Sequence, residues 1–169
     1  MHKIIDKSSS NIYQDHKDLL DSFMEYSEKR LKYTKPITVY LTSDLKNANN
    51  PLGKTGYYDQ NTGTIVIFTD NRLFKDVLRS LSHELIHHAQ SCRGEFDKGM
   101  NTEVGYAQKD PHMRKMEAEA YLKGNMNLRD FEDEIKVKSI YKSDSVKLRV
   151  ANKWITEILR TSLLKLIKK

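Results

Sequence analysis

The run His83-Glu84-Leu85-Ile86-His87 sets two imidazoles four positions apart, with a carboxylate directly after the first. On an α-helix, residues four apart lie one above the other, so His83 and His87 can offer two nitrogens to a single metal ion. Glu84 then points about a quarter-turn away. From there its carboxylate can reach a water on that metal, which is where a general base for metal-assisted hydrolysis has to sit.

A catalytic zinc ion takes three protein ligands and keeps a further position for water, so a third donor is needed. The downstream candidates are Glu117, Glu119 and His112. The two glutamates are two apart and cannot both face one metal from a single helix. Glu117 has the small Ala120 three residues on and Tyr121 four residues on, a face that can approach another helix closely. Glu117 is therefore taken as the third ligand, with Glu119 and His112 as the alternatives. Cys92, the single cysteine, allows neither an internal disulfide nor a cysteine cage, so a metal site must be built from His and carboxylate.

These residues must be positioned by helices. From about Arg72 to Cys92, Leu73, Val77, Leu78, Leu81, Leu85 and Ile86 follow the 3.6-residue period and mark a core face, with Thr69-Asp70-Asn71 ahead of them as capping residues. A first helix is expected over Asn11 to Arg30, carrying Leu19, Leu20, Phe23 and Met24 on one side. After Pro36, Ile37-Thr38-Val39-Tyr40-Leu41 reads as a strand. Gly56 to Asp59 and Thr64 to Phe68 read as hairpin arms joined by Gln60-Asn61-Thr62-Gly63. The expectation is an α+β fold with a small antiparallel sheet of about three strands, and a sheet edge beside the metal could hold an extended peptide by strand addition.

Beyond the long connection from Ser91 to Pro111, a helix resumes at His112 with Met113, Met116 and Ala120 on one face. It is expected to break at Gly124-Asn125, with a second short helix from Leu128 to Val137 and a last one from about Ser145 to Lys169. His2, His16 and His88 are read as surface or loop histidines.

The net charge of +6 is uneven. Residues 136–169 hold ten Lys/Arg against two Asp/Glu, whereas residues 1–135 hold nineteen against twenty-one. The domain reading is accordingly a body over residues 1–135 and a basic amphipathic helical extension over residues 136–169, the latter suited to docking on a partner. No nucleic-acid motif accompanies the basic residues. With no signal-peptide pattern near Met1 and no apolar run long enough to span a bilayer, a cytoplasmic protein is expected.

His83-Glu84-Leu85-Ile86-His87, followed some thirty residues later by Glu117-Ala118-Glu119-Ala120-Tyr121, resembles the zincin metallopeptidases of the minimal gluzincin type. The family pattern is His-Glu-x-x-His on one helix and Glu-x-x-small-Asp on a second. The resemblance covers about Gly56 to Asn125 and implies a zincin-like fold, Zn2+ as cofactor, a protein or peptide substrate, His83, His87 and Glu117 as ligands, and Glu84 as catalytic base. It departs at Tyr121, where the family often has an Asp that bonds a zinc-bound histidine, and at His88, in a position commonly apolar. An oxyanion formed during peptide hydrolysis would need a donor besides the metal, for which Tyr106 and His112 are candidates. The alternative function is a non-catalytic zinc-binding domain that acts as an assembly module through its C-terminal helix. A fourth protein ligand such as His112 would be its mark, because structural sites are closed.

Overall fold

The computed structural model of the protein describes residues 2–10, 12–97, 105–141 and 152–156. Among the described residues the elements run in the order β1 (His2–Lys7), α1 (Ile12–Leu31), β2 (Ile37–Thr42), α2 (Leu45–Ala48), β3 (Gly56–Asp59), β4 (Thr64–Phe68), α3 (Phe74–Cys92), α4 (Tyr106–Lys109) and α5 (Pro111–Tyr141), and residues 152–156 are also helical. The fold is α+β. Among the described residues no helix is long and apolar enough to cross a membrane.

The sheet differs from the expected three antiparallel strands. Among the described residues it has four strands in the order β1-β2-β4-β3, of which only the β3/β4 pair is antiparallel. β1 runs parallel to β2 with His2 opposite Ile37, and β2 runs parallel to β4 with Thr38 opposite Thr64. The cause is α1, which carries the chain back across the sheet between β1 and β2, as parallel neighbours require. Ile37, Val39, Leu41, Ile65 and Ile67 alternate along β2 and β4 and are buried under the helices. The hairpin closes where expected, with Gly63 at φ 62° and the Asp59 carboxylate taking bonds from the Asn61 amide and the Thr62 hydroxyl.

The predicted capping run does not cap α3. Leu73 occupies the N-cap position in an extended conformation without a side-chain bond, while Asp70 accepts from Ser43 Oγ at 2.8 Å. Arg72 does the fastening instead. Its guanidinium donates to the carbonyls of Thr55, Phe68 and Asp76 and to Ser80 Oγ, tying the approach to β3, the end of β4 and the first turns of α3 together.

The expected break at Gly124-Asn125 is absent, and α5 is one helix of 31 residues. Met113, Met116, Ala120, Gly124, Asn127, Leu128 and Phe131 are its buried stripe. Gly124 lies on that stripe because α5 crosses α3 there at close range. A Cβ at Gly124 would stand 3.1 Å from His83 Cα and 3.2 Å from its amide nitrogen. The two helices run antiparallel, with Gln90 against Met116, Ser82 against Gly124 and Lys75 against Glu132. Trp154, from the extension expected over residues 136–169, is buried in the main core edge-on to Phe74; most of the last helix expected there lies outside the described residues.

Candidate metal centre

α3 supplies three of the four expected site residues on two adjacent turns. Its apolar side buries Val77, Leu78, Leu81 and Leu85 in the core, which turns His83 and His87 toward α5. Behind His83 lies a buried polar node. Ser82 Oγ donates to the Gly124 carbonyl at 2.8 Å, and Asn127 Nδ2 donates to both Ser27 Oγ and Ser82 Oγ, at 2.9 and 3.0 Å. This node joins α1, α3 and α5 at the turn that carries the first histidine. It sets the separation of the two site-bearing helices.

At that separation Glu117, two turns before Gly124 on α5, meets both histidines. Its Oε2 is 3.3 Å from His83 Nε2 and its Oε1 is 3.3 Å from His87 Nε2, and the two imidazole Nε2 atoms are 3.1 Å apart. One ligand atom from each of the three residues lies within 4.8 Å of the others. Donors held about 2.0 to 2.1 Å from a tetrahedral metal stand about 3.3 Å from one another. The donor set and its spacing therefore fit a metal ion.

Outer partners orient the set. His87 Nδ1 donates to Gln90 Oε1 at 2.8 Å, which leaves His87 Nε2 with its lone pair toward the cluster. Gln90 cannot turn over, because its amide nitrogen donates to the Met116 carbonyl and to Glu119 Oε2, at 2.9 and 3.0 Å. Glu119 is held in turn by Arg93 and Lys123. Partial burial opposes ionisation of Glu119, but Lys123, Gln90 and Arg93 outweigh it and keep its carboxyl below the usual range. Tyr121, at the position where the family often has Asp, packs its ring edge-on against His83 at 4.7 Å and is itself largely exposed.

Of the three candidates for third ligand, Glu117 alone joins the histidines. Glu119 faces Gln90 and Arg93, and His112 Nε2 donates to the Glu95 carbonyl at 2.8 Å, apart from the residues that line the cleft. The Tyr106 side chain lies outside the described residues. His88, expected at the surface, is 1% exposed. Its Nε2 donates to the Lys35 carbonyl and its Nδ1 accepts from the Tyr58 hydroxyl, and burial pushes its pKa down. It is a structural histidine in contact with the edge strand, whereas His16 is half-buried and stacks on Phe74.

Glu84 is 7% exposed and lines the same cleft as the cluster. Burial pushes its carboxyl up, against the opposing pull of His87 and His83. For His87, burial disfavours the charged ring, yet Glu117, Glu84 and Gln90 reverse the balance and raise it. The cleft, of about 850 Å³, is bounded on its far side by Gly56, Tyr57 and Tyr58 of β3, whose outer edge pairs with no strand among the described residues. A Cβ at Gly56 would stand 2.9 Å from the Val66 carbonyl and 3.6 Å from Glu84 Cγ, so the glycine lets the edge strand lie close to that carboxylate.

No family model matches this chain, and neither a curated protein nor a solved structure matches it. The chemistry of the cluster is thus the guide to function. Gln90 was missed in the sequence, although its position three residues after His87 places it on the same helix face and was readable there.

Proposed function

We propose that the chain is a zinc-dependent metallopeptidase, with His83, His87 and Glu117 as the metal ligands and Glu84 as the general base. The observation that carries this reading is the placing of a buried carboxylate, Glu84, beside a three-donor cluster in a cleft bounded by an open strand edge. A zinc ion held by the three side chains supplies a Lewis acid and lowers the pKa of a bound water toward neutrality. Glu84 has the position to take the proton from the attacking water and to deliver it to the leaving nitrogen. Among the described residues no hydrogen-bond donor occupies its carboxylate, which suits a group that must exchange protons. The β3 edge offers unpaired backbone groups on which an extended peptide can lie across the cluster.

Among the described residues three donors converge rather than four, with His112 engaged by the Glu95 carbonyl, which favours catalysis over a purely structural site. The test is metal content by elemental analysis, combined with hydrolysis of an unstructured protein. One equivalent of zinc is expected in wild type, in Glu84→Gln and in Glu119→Ala, and loss of it in Glu117→Ala. Hydrolysis should vanish in Glu84→Gln with its metal intact; a Glu84→Gln protein as active as wild type would sink the mechanism.

A further inference from the structure

The cleft does not end at the cluster. At Arg79 and Asn125 it joins a second hollow of about 380 Å³ between α3 and α5. Two helical stripes flank this continuation. On α3, Lys75 and Arg79 lie two turns and one turn before His83, about 12 and about 6 Å along the axis. On α5, Asn125 and Arg129 lie about two and three turns beyond Glu117, one turn apart on the exposed side of the helix.

The track is basic in a body that is not. Outside the His83/His87/Glu117 cluster, the walls of the two hollows carry Lys54, Arg72, Lys75, Arg79, Arg129 and Lys136 against Glu84, Asp76, Glu132 and Asp133. Residues 1–135 as a whole are net acidic, so this excess is a local gathering of charge. Three of these carboxylates are each matched by one cation: Asp76 by Arg79 at 2.6 Å, Glu132 by Lys75 at 2.7 Å and Asp133 by Lys136 at 3.3 Å. Three cations are left over. Arg72 bonds only neutral oxygens, and among the described residues Lys54 and Arg129 have no ion pair. Lys54 is nevertheless held at the cleft mouth, because the Asn47 side chain bonds both its amide and its carbonyl at 2.8 Å.

We infer that this basic track seats acidic side chains, and that the substrate class is a peptide carrying Asp or Glu on the side of the scissile bond that runs toward the start of α3. Arg129 lies five residues, about 7.5 Å, along α5 from Gly124, which faces Ser82, and an extended peptide advances about 3.3 Å per residue, so a carboxylate about two to three residues from the scissile bond comes level with it. Cleavage of that peptide rests on the metallopeptidase reading; the charge preference of the track does not.

The experiment uses the zinc-loaded full chain with Glu84→Gln and two labelled peptides of equal length, one Glu-rich and one with Gln at the same positions. Fluorescence anisotropy should show the Glu-rich peptide binding about tenfold tighter at low salt, with the gap closing as salt is added. Adding Arg129→Glu or Lys54→Glu, both exposed, should weaken the Glu-rich peptide about fivefold and leave the Gln peptide unchanged. Equal binding of the two peptides, binding of neither, or a gap that survives both charge reversals would overturn the inference. So would tighter binding of a single-stranded oligonucleotide of matched charge. Mass spectrometry of both peptides with wild-type protein separates the two readings. A charge preference without cleavage rejects the peptidase and leaves the track, whereas equal cleavage of both peptides rejects the track and leaves the peptidase.

Discussion

Gln90 Oε1 accepts a 2.8 Å hydrogen bond from His87 Nδ1, and this contact decides which nitrogen of His87 faces the metal cluster. The amide is locked by the Met116 carbonyl and Glu119, so the acceptor cannot exchange places with the donor. Removing such an outer partner typically costs about 10- to 100-fold in metal affinity. Gln90→Leu should weaken zinc by about that factor in a competition titration with a chromophoric chelator. Glu119→Gln should have a smaller effect in the same direction, because it frees the Gln90 amide without removing it. Wild-type affinity in Gln90→Leu would show that His87 is oriented by other means.

Gly124 fixes how closely α5 approaches the His83 turn. In an ordinary helix Gly→Ala stabilises by about 1 kcal/mol. Here the new methyl would meet backbone at 3.1 and 3.2 Å, and the node at Ser82 and Asn127 holds that backbone in place. Gly124→Ala is expected to destabilise by about 1–2 kcal/mol in urea denaturation and to weaken zinc binding, since Glu117 moves away with its helix. A variant both more stable and undiminished in zinc affinity would mean that the helices are not in register through this glycine.

Asn127 donates to Ser27 and Ser82 from a fully buried site. Asn127→Ala takes this donor from both hydroxyls, leaving Ser82 its bond to the Gly124 carbonyl, and should cost about 1–3 kcal/mol. Thermal unfolding in the presence of chelator isolates this effect from metal binding. Loss of stability within experimental error of zero would assign the node a role in positioning alone.

His88 is neutral in the folded chain, with one nitrogen donating to the Lys35 carbonyl and the other accepting from Tyr58. Burial, reinforced by the Lys35 charge, lowers its pKa below the unfolded value of about 6.5. In the window between the two values the unfolded chain binds more protons. Stability is therefore full above about pH 6.5 and falls as the pH drops toward the folded pKa. Metal-free wild type should lose more stability between about pH 7 and pH 5 than His88→Gln does, because the other groups titrate alike in both proteins. Parallel stability curves would remove His88 as a source of acid sensitivity.

Much of the site was legible in the sequence because its geometry is local. Four residues make just over one helical turn, so His83 and His87 share a face wherever their helix packs, and Glu84 is carried beside them. The hairpin was equally plain, since its turn chemistry lies within Asp59 to Gly63. β1 was not, because its pairing with β2 links His2 to Ile37 across an intervening helix. Gly124 looked like a helix breaker, since nothing nearby in sequence announces that the α3 backbone needs its missing side chain.

The sequence by itself determined a face on α3 that could hold a metal ion and offered Glu117, Glu119 and His112 as partners to complete it. Only the tertiary structure decided among them. Glu117 and Glu119 sit on the same helix, and which of them meets the histidines depends on the rotation of α5 about its axis. That rotation is set by the close approach at Gly124 and by the Ser82–Asn127 node, contacts between segments some forty residues apart. Local chemistry chose the kind of donor, and helix packing chose the residue.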